Sequence, residues 1–272
     1  MTLPAPAHDR TCLVTGASSG IGAELARELA GRGQGVTLVA RRRERLDELA
    51  AEIAESSLVR TEVVALDLTD ADARVTLPDQ LAERGLTVDV LVNNAGFSTV
   101  GPVARSDHRR EVAMVRTDVE AVIDLCSMFV PGMVERQRGA VLNVASTAAF
   151  QPMPGQAGYA ASKAFVLSYT HALRAEVAGS RVTVTALCPG PVDTEFIETS
   201  GMDRDAATRA LPSVMWVPAD VVAKAGVDGL VAGRAVVIPG AANRATAVAA
   251  HLTPRTVLMP LLARRHPATR RT

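Results

Sequence analysis

Short runs rich in β-branched residues alternate along this chain with longer stretches whose apolar positions recur about every 3.6 residues. The short runs predict strands at Thr11–Thr15, Val36–Ala40, Thr61–Leu66, Val88–Asn93, Ala140–Ala145, Val182–Leu187 and Ala235–Ile238. The longer stretches predict helices over Ile21–Arg32, Arg43–Glu55, Ala71–Arg84, Asp107–Val134, Gln156–Ala178 and Ala219–Ala232. Such alternation marks βαβ units, whose crossover helices cover both faces of a parallel sheet. The expected fold class is α/β: a doubly wound, seven-stranded, mostly parallel sheet with helices on both faces, in a single domain. Within the long stretch before the fifth strand, Val112, Val115, Val119, Val122, Ile123, Cys126 and Phe129 form an apolar stripe that reads as core. Residues 1–10 read as a tail, 11–240 as the sheet domain and 241–272 as a helical extension with a basic end. Residues 195–217 lack clear periodicity and read as a mobile lid.

Composition narrows the possible partners. With 48% hydrophobic and 21% charged residues, the 272-residue chain suits a packed core rather than disorder. Aromatics are scarce at 3%, so Ala, Val and Leu must build that core. A formal charge of zero argues against nucleic acid, whose binding draws on clustered Lys and Arg. Cys12, Cys126 and Cys188 are far apart and fit buried thiols of a reducing compartment. His8, His108, His171, His251 and His266 are dispersed, so no metal site is expected. Met1–Arg10 lacks a signal peptide's basic start and apolar stretch, and His251, Pro254 and Arg255 interrupt the apolar run 245–263 well before the ~18 residues of a membrane span. The expectation is a cytoplasmic protein without a transmembrane segment. Arg264, Arg265, Arg270 and Arg271 read as a solvated terminus.

The first strand runs directly into Thr15-Gly16-Ala17-Ser18-Ser19-Gly20-Ile21-Gly22, and a helical pattern follows. Glycines let a backbone turn tightly against a pyrophosphate, while the N-terminus of the next helix directs unpaired N–H groups at its charge. The placement between strand and helix gives the motif its weight, and makes Gly16, Ser18, Ser19, Gly20, Ile21 and Gly22 candidate dinucleotide ligands. At the end of the second strand an acidic residue would accept hydrogen bonds from the ribose hydroxyls of NAD. Here Ala40 is followed by Arg41-Arg42-Arg43. Arg41 or Arg42 is suited to hold a 2′-phosphate, which favours NADP (NADPH) over NAD, while Arg43 fits better as a solvated helix start pairing with Glu44 and Glu48.

Tyr159 and Lys163 stand four residues apart in a helical stretch and share one face. Ser146 lies thirteen residues earlier, just past a predicted parallel strand, at the kind of edge where open α/β sheets bind ligands. The glycine spacing, then Asn93-Asn94-Ala95-Gly96, Ser146, Tyr159-Ala160-Ala161-Ser162-Lys163 and Pro189-Gly190-Pro191-Val192-Asp193-Thr194, in that order, resemble the short-chain dehydrogenase/reductase family over about Thr11 to Ile238. The resemblance implies a Rossmann fold with Asp67 and Leu68 flanking adenine. It implies that Asn94, Ala95 and Gly96 support the central sheet and ribose, and that Pro189, Gly190, Val192 and Thr194 form the loop that holds the carboxamide. It also implies a homodimer or homotetramer paired through the fourth and fifth long helices. One position departs: where the family has an asparagine that helps hold a water linking the lysine to solvent, this chain has Asp118. Asp118 either weakens that relay or is a surface or interface aspartate without the role.

The chemistry these residues suit is hydride exchange between nicotinamide and a carbonyl or alcohol carbon. A free tyrosine, with a pKa near 10, is too weak an acid for the developing alkoxide. The Lys163 ammonium and the positive ring of the oxidised cofactor would pull Tyr159 towards neutrality, and Ser146 would orient the carbonyl. By resemblance, Lys163 also bonds the ribose. Phe97–Val100, Phe150–Pro154, Phe196, Met202, Met215 and Trp216 suggest a lipophilic or bulky substrate, while Arg204 and Arg209 leave an anionic one open. The rivals are an NADP-binding regulatory protein without turnover, which Asp118 favours, and a lyase or epimerase on the same scaffold.

Overall fold

The computed structural model describes residues 3–265, so His266, Arg270 and Arg271 lie outside the described residues, as do the side chains of Arg264 and Arg265. Seven strands form one sheet: β1 (Arg10–Thr15), β2 (Val36–Ala40), β3 (Thr61–Ala65), β4 (Thr87–Asn93), β5 (Gly139–Val144), β6 (Val182–Leu187) and β7 (Val236–Val237). Their order is β3-β2-β1-β4-β5-β6-β7 with all neighbours parallel. In β2, β5 and β6 every residue is buried, Thr37, Asn143, Thr183 and Thr185 included, as expected of a parallel sheet covered by helices on both faces. The chain runs outward from β1 to β3, then returns to place β4 on the other side of β1. That reversal opens a crevice beyond the C-terminal ends of β1 and β4.

The helices are α1 (Gly20–Gly31), α2 (Arg43–Ser57), α3 (Ala71–Val75), α4 (Leu77–Glu83), α5 (His108–Val115), α6 (Ala121–Glu135), α7 (Ala157–Glu176), α8 (Phe196–Thr199), α9 (Arg204–Ala210), α10 (Ala219–Val231), α11 (Ala241–Leu252) and α12 (Arg255–Arg265). Cys12 and Val14 of β1 point into one core with α1, α2 and α10, while Leu13 between them points into the other with α4, α6 and α7. Alternate strand residues thus serve opposite layers, as the pleat requires. Among the described residues no helix is long and apolar enough to cross a membrane.

Three elements depart from the sequence reading. The helix expected over Ala71–Arg84 is broken at Thr76, because Pro78, in the first turn of α4, has no N–H with which to continue the hydrogen bonding of the preceding helix. The helix expected over Asp107–Val134 contains a π-helical turn at Arg116–Glu120. The wider turn rotates the apolar stripe partway along: Val122 and Cys126 are buried, but Val112, Val115 and Ile123 are exposed, so these three are not core. Met114 and Asp118 face inward instead. Finally, residues 195–217, read as irregular, carry α8, α9 and a 3-10 turn at Ser213–Met215.

Arg74, a surface residue by type, is fully buried. Its guanidinium donates to the Leu68 carbonyl at 2.6 Å and to Asp124 at 2.7 Å, and it pairs with Glu120. It thereby ties the loop after β3 to the π-helical turn and α6. Cys12, Cys126 and Cys188 are free and buried. Burial raises all three thiols, Cys126 and Cys188 to about 12. Native protein at neutral pH should therefore react with an aromatic disulfide reagent only as fast as it unfolds, and all three thiols should titrate promptly in denaturant.

Candidate active site

The crevice is floored by backbone that leaves no room for side chains. Gly16 has φ +65°, and a Cβ there would stand 2.8 Å from the Ala95 Cα; a Cβ on Gly22 would stand 2.3 Å from the Gly16 carbonyl and 2.4 Å from Asn94 Nδ2. Asn94 fills the space the two glycines leave, donating to the Thr15 carbonyl at 2.9 Å. The Thr15 hydroxyl accepts from the backbone N–H of Asn94 and of Ala95, each at 3.0 Å, and donates to the Val92 carbonyl at 3.2 Å. The loop between β1 and α1 is thus locked to the end of β4. A 12-residue helix begins immediately behind it at Gly20, and the Ser19 side chain makes no capping bond. This bare, glycine-lined helix start fits a pyrophosphate.

Across the crevice, Ser146 follows β5 and Tyr159 and Lys163 project from the first two turns of α7. The Ser146 hydroxyl accepts from the Ala148 N–H at 3.1 Å and lies near the Pro189 carbonyl at 3.5 Å, so both neighbouring loops fix its direction. The Lys163 Nζ stands 5.7 Å from the centre of the Tyr159 ring. Burial pushes the Tyr159 phenol above its ordinary pKa; Lys163 and Ser146 pull it down, and Asp118 pushes it up again. The expected pull from Lys163 is present, yet burial outweighs it, and the phenol keeps its proton through neutral pH.

Asp118 is no surface or interface aspartate: it is fully buried, with Oδ2 at 3.1 Å from Lys163 Nζ and Oδ1 accepting from the Phe97 N–H at 3.0 Å. Lys163 also donates to the Val144 carbonyl at 3.3 Å. Burial lowers the ammonium's pKa, but Asp118 and Tyr159 outweigh it and leave Lys163 above its ordinary value. Gly96 makes room for the pair, since a Cβ there would meet Asp118 Oδ1 at 2.8 Å and Lys163 Nζ at 3.1 Å.

The remaining candidates are placed as follows. Arg41 is exposed, while Arg42 turns back over the glycine loop, with Nη2 at 3.1 Å from Ser18 Oγ and 3.3 Å from the Ser18 carbonyl. Ile21 packs against the core. The Asp67 carboxylate accepts from the N–H and hydroxyl of Thr69, both at 2.9 Å, while Leu68 is buried. Thr194 comes up against Gly20, and Val192 is buried. Gly190 sits on Asn243, a fully buried amide that donates to the carbonyls of Met215 at 3.0 Å and Pro239 at 3.1 Å. Sequence reasoning missed Asn243, because no local pattern relates α11 to the loop after β6. Phe97, Met153 and Phe196 pack around Tyr159 with Met114 and Ala148, and the Phe196 ring lies 5.7 Å from the Tyr159 ring.

A model of the short chain dehydrogenase family matches residues 10–205. The chain is 37% identical to sulfoacetaldehyde reductase 2 of Chromohalobacter salexigens over 201 residues, 73% of this chain and 79% of that one. A short-chain dehydrogenase from Sphingobium yanoikuyae, solved in complex with NADPH, aligns at 33% identity with a TM-score of 0.79, over 92% of this chain and 95% of that one. The bulky-bulky ketone specific alcohol dehydrogenase from Comamonas testosteroni aligns at 27% identity with a TM-score of 0.74, over 99% of each chain. The chain belongs to the short chain dehydrogenase family and is an NAD(P)-dependent oxidoreductase acting on CH–OH and C=O groups.

The glycine cradle makes a direct prediction. In Gly22→Ala the added methyl collides with backbone that cannot retreat, so the variant should lose stability by about 1–3 kcal/mol and lose dinucleotide binding, measured by thermal denaturation and by cofactor titration.

Proposed function

We propose that this oxidoreductase interconverts a bulky or lipophilic ketone and its secondary alcohol, using NADPH and NADP. The observation that carries the reading is the meeting of Tyr159, Ser146 and a buried, charge-paired Lys163 at one edge of the nucleotide crevice. Gly16, Ser18, Ser19, Gly20, Ile21 and Gly22 hold the pyrophosphate, Arg41 and Arg42 the 2′-phosphate, and Asp67 and Leu68 the adenine. Asn94 to Gly96 support the ribose side, and Pro189, Gly190, Val192 and Thr194 the carboxamide. Bound nicotinamide supplies or receives the hydride.

Ser146 donates a hydrogen bond to the carbonyl oxygen and fixes which face of the carbonyl is presented. Tyr159 gives its phenol proton to that oxygen as negative charge develops there, and takes it back in the reverse direction. Lys163 favours the phenolate left behind and holds ribose hydroxyls. Asp118, the residue that suggested a non-catalytic reading, is turned inward against Lys163 and keeps the ammonium in place. Support for NADPH comes from Ala40 followed by arginines, where a carboxylate would repel phosphate, and from the NADPH complex of the Sphingobium relative.

Two relatives suggest opposite substrates, a small sulfonated aldehyde and a bulky ketone. The wall of Phe97, Met153 and Phe196 around Tyr159 favours the latter. Within residues 195–217, which we read as the lid, Arg204 pairs with Asp193 at 3.3 Å and Glu198 at 3.6 Å, and Arg209 approaches Asp203 at 4.0 Å. These arginines already have anionic neighbours. Exposed Val112, Val115, Ile123 and Phe165 support pairing of two copies through α5, α6 and α7.

A panel of ketones followed at the nicotinamide absorbance tests the reading: turnover should favour NADPH over NADH in kcat/KM, and a preference for NADH would refute the arginine assignment. Tyr159→Phe should lower kcat about 100-fold or more while the NADPH Kd stays within about twofold. Asp118→Asn should leave the Lys163 charge less compensated and so lower the Tyr159 pKa. Alcohol oxidation, which needs the phenolate, rises with pH through that pKa, so its rising limb should move to lower pH. An unmoved pH profile in a folded variant would show that Asp118 does not act on Tyr159.

A further inference from the structure

We propose that Glu195 is an internal anion that competes with the 2′-phosphate of the cofactor for Arg42, and so limits how strongly the site prefers NADPH over NADH. The proposal rests on the reading of Arg42 given above and names a residue that no motif in the chain singles out. Glu195 is the first residue of the segment over the crevice, and its Oε2 lies 2.8 Å from Arg42 Nη2. The same nitrogen reaches Ser18 Oγ and the Ser18 carbonyl, and Nε stands 3.4 Å from Ser18 Oγ. Both hydrogen directions of Nη2 are thus taken by the protein. Arg42 holds the Glu195 carboxyl below the usual range, with help from Ser19 and Arg45. Arg42 and Ser18, both residues assigned to the cofactor, are therefore already engaged, and their complement is a carboxylate of the chain itself.

The other arginines nearby are not arranged this way. Arg43 approaches Asp47 at 3.6 Å and Arg45 approaches Glu48 at 3.8 Å, each within α2, and Arg41 is exposed. Only the Arg42 pair spans from the end of β2 to the segment after β6 among these neighbours. Thr194 before Glu195 packs against Gly20 and Phe196 after it packs against Tyr159, so the Glu195 backbone stays beside the crevice even when its side chain turns away from Arg42. A phosphate offers more acceptor oxygens and more charge than one carboxylate, so it can displace Glu195 from the guanidinium. It must then tolerate a displaced carboxylate close by. NADH carries no 2′-phosphate and leaves the ion pair intact. The pair therefore penalises the phosphorylated cofactor selectively. Arg42 and Glu195 side chains are 45% and 39% exposed, which keeps the penalty modest, about a two- to fivefold factor in affinity.

The test titrates NADPH, NADH and adenosine 2′,5′-bisphosphate into the wild-type protein and into Glu195→Gln, an isosteric change at a half-buried position. Nicotinamide fluorescence reads the first two ligands, and calorimetry the third. The expected result is a Kd for NADPH and for the bisphosphate that falls about two- to fivefold, more at low salt, with the Kd for NADH unchanged. Weaker NADPH binding in the variant would overturn the proposal in favour of an ion pair that clasps bound cofactor. Unchanged NADPH affinity, or equal tightening of NADPH and NADH, would overturn it as well. Wild-type protein that binds NADH but not NADPH would refute the cofactor assignment itself, a failure visible before any variant is made.

Discussion

Lys163 carries its ammonium into the interior, 4% exposed, where a charge without partners would cost several kcal/mol. Much of the surrounding architecture answers that constraint. The π-helical turn presents Asp118 inward, the last residue of β5 offers its carbonyl, and Gly96 withholds a side chain so that the carboxylate and ammonium can meet. The backbone N–H of Phe97 then takes up the other carboxylate oxygen. β4, β5, α7 and the turn before α6 are thereby joined at one buried charge pair, and the phenol of Tyr159 feels its balance. An uncompensated ammonium would draw the phenol down strongly; a paired one leaves it protonated, ready to donate.

The nucleotide side of the crevice depends on close backbone approach rather than charge. Thr15 and Asn94 stitch β1 to β4 at the point where strand order reverses, and the glycine loop rests directly on them. Arg74 extends the same rigidity sideways, because its buried guanidinium connects the Leu68 carbonyl to Glu120 at the end of the π-helical turn. The two halves of the site are therefore coupled through packed, hydrogen-bonded elements. The segment that begins at Glu195 joins them on the outside, touching Arg42 at one end and Tyr159 through Phe196.

How far the chain could be read follows from the range of each signal. The strands of the sheet and the glycine loop were legible because they rest on local periodicity and on adjacent residues. The long stripe through Val112 and Val115 was misread as core, because a π-helical turn shifts phase without a clear mark in composition. The break at Thr76 was in principle legible from Pro78, but the apolar spacing on both sides suggested continuity. Arg74, Asn243 and Glu195 were invisible as structural residues, since each acts on partners far away in sequence.

The sequence by itself determined the α/β class, the order of elements, the family and the residue types available for proton transfer, because these depend on short-range pattern and motif order. Only the tertiary structure decided which of those groups meet. It turned Asp118 inward to Lys163, closed Arg42 onto Glu195 and wrapped Tyr159 in Phe97, Met153 and Phe196. The physical reason is that charge pairing and burial depend on distances across the fold, and such distances are set when separate elements pack, not by the spacing of residues along the chain.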